Sequence, residues 1–71
     1  MITVTIRSWL NFDGFDCNGK SYRLDELDKL KEVIGNQEVN FVRGKNTFTG
    51  KPVSDKFYES MRNKLKGALY G

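Results

Sequence analysis

Apolar and polar residues alternate over positions 2–12. Ile2, Val4, Ile6, Leu10 and Phe12 share one parity, broken at Ser8, and Thr3, Thr5, Arg7, Trp9 and Asn11 share the other. A period of two with this many β-branched residues predicts a half-buried strand. Two hairpin dipeptides follow, Asp13-Gly14 and Asn18-Gly19, too close together for both to close full hairpins. Asn18-Gly19 is the better type I′ turn. It sets Cys17 opposite Lys20 and Phe15 opposite Tyr22, on the face that Leu24 continues, and leaves Asp13-Gly14 as a bend or bulge.

The period then changes. Asp25 is a suitable N-cap, with Glu26 and Asp28 in the first turn, where the helix dipole favours acids. Leu27, Leu30, Val33 and Ile34 follow at helical spacing, and Gly35 stands where a left-handed C-terminal cap belongs. A helix of about ten residues is not stable alone, so this one must pack on a neighbour. Val39 and Phe41 alternate with Glu38 and Asn40 and predict a strand through Arg43. Gly44-Lys45-Asn46 is then expected to turn the chain into a short strand, Thr47-Phe48-Thr49. Ser54 caps the last and longest helix, whose apolar stripe is Phe57, Tyr58, Met61, Leu65, Ala68 and Leu69.

The order β-β-β-α-β-β-α predicts an α+β fold: a small two-layer domain over residues 1–71, with both helices on one face of a mainly antiparallel, twisted sheet. A right-handed crossover from the third strand through the first helix to a parallel fourth strand would make the sheet mixed. A Gly-Lys turn with an aromatic just beyond it precedes each helix (Gly19-Lys20 with Tyr22, Gly44-Lys45 with Phe48). The identity is too thin to be a repeat.

Length sharpens this picture. A 71-residue chain buries about 60% of the surface its unfolded form exposes, so its core is small. No run approaches the roughly 18 apolar residues of a transmembrane helix, and the start lacks the basic and apolar regions of a signal peptide. Cys17 is the sole cysteine, which excludes an internal disulfide. Together these point to a reducing, cytoplasmic setting.

Charge divides the chain. Residues 1–35 carry five basic side chains against six acids; residues 36–71 carry seven against three. A basic C-terminal half suits an acidic partner, protein or nucleic acid, although uneven charge is also ordinary on a soluble surface. The segment Arg43–Pro52 concentrates the feature, with three cations, two glycines, the one proline and no acid. It resembles a phosphate-binding loop only loosely. Five residues separate Gly44 from Gly50, and Pro52 stands where a metal-binding hydroxyl is required. A nucleotidase is therefore rejected. What survives is an anion-attracting helix entry at Gly50-Lys51, set against the plainer reading of a turn with a solubilising lysine.

Catalytic chemistry has few candidates. The chain has no histidine, and its lone cysteine has no base to activate it. Asn11, Asp13, Asp16 and Asn18 fail the EF-hand spacing, since Phe15 and Gly14 fall at the wrong positions, and they read as turn formers. No metal and no cofactor is expected. Trp9 beside Arg7 has the composition of an interface hot spot or a base-stacking platform. A core this small favours a buried Trp9 instead, either under a neighbouring element or through a bulge near Ser8.

The function expected is a non-enzymatic binding module: an inhibitor or regulator of a larger assembly, including a nucleic-acid-processing one. Its contact residues are Arg43, Lys45, Phe48, Lys51, Lys56, Arg62, Lys66 and Trp9, with Tyr70 a further hot spot. The alternative is direct nucleic-acid binding through Arg43–Lys66. A second copy could add through a free strand edge at 2–12 or 47–49, giving a monomer or a homodimer. No membrane partner is expected.

Overall fold

A computed structural model describes all 71 residues, Met1–Gly71. Strands β1 (Ile2–Ser8), β2 (Asp13–Cys17), β3 (Lys20–Arg23) and β4 (Val39–Asn46) form one sheet in the order β3-β2-β1-β4. Helix α1 (Leu27–Ile34) lies between β3 and β4, and α2 (Asp55–Tyr70) ends the chain. β1 runs antiparallel to β2 and β2 to β3, whereas β4 runs parallel to β1. The α+β class is as expected and the sheet is mixed. The crossover through α1 carries the chain past β2 and β1, so β4 pairs with the first strand and not with the third.

Both helices cover the same face. Ile2, Val4, Ile6, Phe15, Cys17 and Tyr22 from the sheet join Leu30 and Ile34 of α1 and Met61 and Leu65 of α2 in one buried cluster. Ser8, the polar break in the β1 pattern, is also buried, and its hydroxyl donates to Asp13 Oδ1 at 2.7 Å. A buried hydroxyl with a partner avoids the cost of an unmet one.

Four local expectations are corrected. β1 stops at Ser8, where a tight turn, Trp9–Phe12, is closed by the Trp9 N–H donating to the Phe12 carbonyl at 2.8 Å. Asp13-Gly14 therefore opens β2 and is not a bend. Leu10 is left 69% exposed, and Phe12 swings to the uncovered face. Gly14 is fixed by crowding, since a Cβ there would collide with the Tyr22 carbonyl oxygen. The hairpin at Asn18-Gly19 holds as read, with φ of 53° and 79° and Cys17 and Phe15 opposite Lys20 and Tyr22.

Second, α1 starts differently. A 3-10 turn, Leu24–Glu26, precedes it, and the Glu26 carboxylate accepts from the Arg23 N–H at 3.1 Å. Glu26 thus organises the helix entry where Asp25 was expected to cap it. Gly35 does end the helix at positive φ, donating to the Lys31 carbonyl at 2.9 Å.

Third, β4 does not turn at Gly44-Lys45-Asn46. It bulges there, with Ile6 opposite Arg43 and Ser8 opposite Asn46, and Gly44 lies so close to the Ile6 carbonyl that a side chain would collide. The reversal comes one step later. Asn46 Oδ1 accepts from the N–H groups of Phe48 and Thr49 at 2.9 and 3.2 Å, and the Gly50 N–H closes on the Asn46 carbonyl at 2.8 Å. Thr47-Phe48-Thr49 is therefore turn and not strand, because the Asn46 side chain takes the amides a strand would pair.

Fourth, the strand edges proposed for self-pairing are not available. β1 is an inner strand and 47–49 is a turn. The sheet ends at β3 and at β4. α2 begins as expected, with Ser54 Oγ accepting from the Phe57 N–H at 3.2 Å. No helix is long and apolar enough to cross a membrane.

Candidate partner-binding surface

The chain returns from the turn to α2 by pairing briefly with the end of β4, Asn46 N–H to Lys51 carbonyl at 2.8 Å and Val53 N–H to Gly44 carbonyl at 3.1 Å. α2 therefore starts at the C-terminal end of β4 and runs back beside it. This places Arg43, Tyr58, Arg62 and Lys66 along one flank. The Arg43 guanidinium lies 5.2 Å and that of Arg62 5.5 Å from the Tyr58 ring centre, and the Lys66 ammonium lies 5.8 Å from that of Phe41. The Tyr58 hydroxyl donates to the Phe41 carbonyl at 3.4 Å. Arg43 also pairs with Asp55. Arg62 and Lys66 have no carboxylate partner, and Arg62 Nε is buried without a hydrogen bond.

The other expected contact residues divide into two groups. Lys45, Phe48, Lys51 and Lys56 are exposed around the Thr47–Gly50 turn and the start of α2, with Phe48 73% exposed at the tip. The Thr47 N–H donates to the Ser8 carbonyl at 2.8 Å, so this tip adjoins the Trp9–Phe12 turn and its exposed Leu10. Trp9 belongs to the sheet face that the helices leave open. It is half-buried and not enclosed, stacked on Phe12 with ring centres 4.6 Å apart. Arg7 lies 6.0 Å from Trp9, and Arg23 lies 4.5 Å from Phe12. No neighbouring element covers Trp9; the Phe12 ring supplies the shelter that the expectation of burial assigned to one. Arg7 also pairs with Asp16 at 2.8 Å, and Ser21 donates to the same carboxylate at 2.7 Å. Tyr70 is exposed at the far end of α2, beside the segment from Ile34 to Glu38.

Sequence reasoning thus found the cations but missed the rings beneath them. Tyr58 and Phe41 read as core because they fall on apolar stripes, and Phe12 because of its parity. The signal available was helical spacing, since Tyr58, Arg62 and Lys66 stand four apart and share one side of α2.

Two groups show displaced acidities, and neither lies on this flank. Burial pushes the Cys17 thiol up, away from the thiolate a nucleophile needs. The Glu26 carboxyl is held down, first by the Arg23 N–H it accepts and further by Lys29. Comparison with known protein families, curated proteins and solved structures finds no match for this chain.

Proposed function

We propose that this chain is a small non-enzymatic binding module, a protein-binding inhibitor or regulator of a larger assembly, that works through its basic C-terminal half. The observation that carries the proposal is the flank of β4 and α2, where Arg43, Arg62 and Lys66 lie against Tyr58 and Phe41 with Asp55 the one paired acid. A cation resting on a ring is held in place at about 0.5–1 kcal/mol per contact. Fixed cations beside aromatic surface suit an acidic protein with a defined shape. A phosphate backbone is served as well by mobile lysines.

A second reading, nucleic-acid binding, draws on a different observation. The Trp9–Phe12 stack flanked by Arg7 and Arg23 on an open sheet face is the composition of a base-stacking platform, and Lys45 and Lys51 are exposed and without a carboxylate partner at the Thr47–Gly50 turn that bonds to Ser8. Titration of generic single- and double-stranded DNA and RNA across salt separates the two. Nucleic-acid binding gives a log–log slope of about -0.7 to -0.9 per phosphate contacted, and Lys45→Glu with Lys51→Glu abolishes it. Protein binding gives weak or no affinity at physiological salt and insensitivity to that pair.

A further inference from the structure

The phase of the β1–β4 ladder decides which way each β4 amide points. The Ile2 N–H donates to the Glu38 carbonyl at 2.8 Å. In a parallel ladder the bonds alternate, so the amides of Asn40 and Val42 face β1, and those of Val39, Phe41 and Arg43 face outward. β4 ends the sheet, and no backbone group pairs with those outward amides. The one side-chain hydrogen bond to the backbone of this edge is from the Tyr58 hydroxyl to the Phe41 carbonyl, long at 3.4 Å. Beyond Arg43 the edge is closed by the returning segment, which bridges Lys45 to Pro52. An open edge of five residues, about 17 Å long, therefore runs beside Arg43, Arg62 and Lys66.

We infer that an extended acidic segment of a partner protein adds to the sheet along Val39–Arg43 as a fifth strand. Main-chain bonds to the outward amides supply the register, and alternate side chains supply selectivity. On the helix-covered side those side chains meet Arg43, Arg62 and Lys66, which calls for carboxylates. On the open side they lie next to Val42, which is 37% exposed and calls for apolar residues. A second copy is the wrong occupant. β4 carries Arg43 and Lys45 with no acid from Val39 to Asn46, so self-pairing would bring two basic flanks together. β3, the other edge, has four residues and runs directly into the turn before α1. The inference rests on the protein-binding reading and specifies its mode.

The test uses a blocked peptide of alternating Glu and Val, about seven residues long so as to span the edge. Its addition should slow hydrogen exchange at the Val39, Phe41 and Arg43 amides and leave Asn40 and Val42, already bonded to β1, unchanged. N-methylation of alternate peptide nitrogens keeps the charge but removes the donors, and should weaken binding by about tenfold or more. Arg62→Glu with Lys66→Glu should weaken it similarly, with unchanged circular dichroism. Equal binding of the N-methylated peptide, or no protection at those three amides, overturns strand addition even if a protein partner is recovered from cells. The mode and the broader reading can therefore fail separately.

Discussion

Gly14 faces the uncovered side of the sheet between Arg7 and Arg23, with the Tyr22 carbonyl where a side chain would begin. The contact is with backbone, so relief requires moving β2 or β3. Gly14→Ala is expected to cost more than about 2 kcal/mol, read as a lower urea midpoint at unchanged slope. Cys17 makes a second prediction. Its folded pKa lies above its unfolded one, so the neutral thiol contributes stability that is complete below the ordinary thiol value of 9.0 and is lost as pH rises through the folded value. Unfolding midpoints should therefore fall above about pH 9, and Cys17→Ala should flatten that fall against its own lower baseline. A slope identical in both proteins would assign the fall to other groups. The constraint on Gly14 was not legible beforehand. Gly14 sat in a hairpin-like dipeptide, and the close approach of β3 that fixes it is a property of the folded sheet.

At the scale of elements, local rules succeeded wherever one residue sets the backbone and failed where two competed. Asn18-Gly19 and Gly35 require positive φ and were placed correctly. Ser54 caps α2 as its sequence implies, and Ser54→Ala should lower stability by about 1 kcal/mol, measurable by thermal or urea unfolding. A loss near zero would mean that solvent replaces the cap. Between Arg43 and Gly50 the competition was between Gly44, a natural turn residue, and Asn46, whose side chain can close a turn on its own. Contact with Ile6 holds Gly44 in the sheet, so the turn falls to Asn46. That long-range contact is invisible in the local sequence. The parallel pairing of β4 to β1 was invisible for the same reason, because nothing near β4 names its partner. The alternation in β1 was read correctly as far as Ser8. Past that point Trp9 kept its outer face, but the rule misplaced Leu10 and Phe12 because the chain had already left the strand.

For the whole molecule, the charge asymmetry was legible and its use was not. The seven cations of the C-terminal half do not form one stripe. Arg43, Arg62 and Lys66 line the β4–α2 flank, Lys45 and Lys51 lie at either side of the Thr47–Gly50 turn that carries Phe48, and Lys56 and Lys64 are exposed on α2. The flank has both fixed cations and an open strand edge; the protein-binding account depends on the first, and strand addition on both. The Arg43–Asp55 pair adds little to it, since Asp55 is largely and Arg43 partly exposed and such pairs contribute about 0–1 kcal/mol. The most direct measurement is affinity capture on the intact chain, with and without nuclease, in parallel with Arg62→Glu, Lys66→Glu. The account predicts a protein partner that persists after nuclease treatment and is lost in the charge-reversed variant. Recovery of nucleic acid alone, or a partner set that disappears with nuclease, would contradict it.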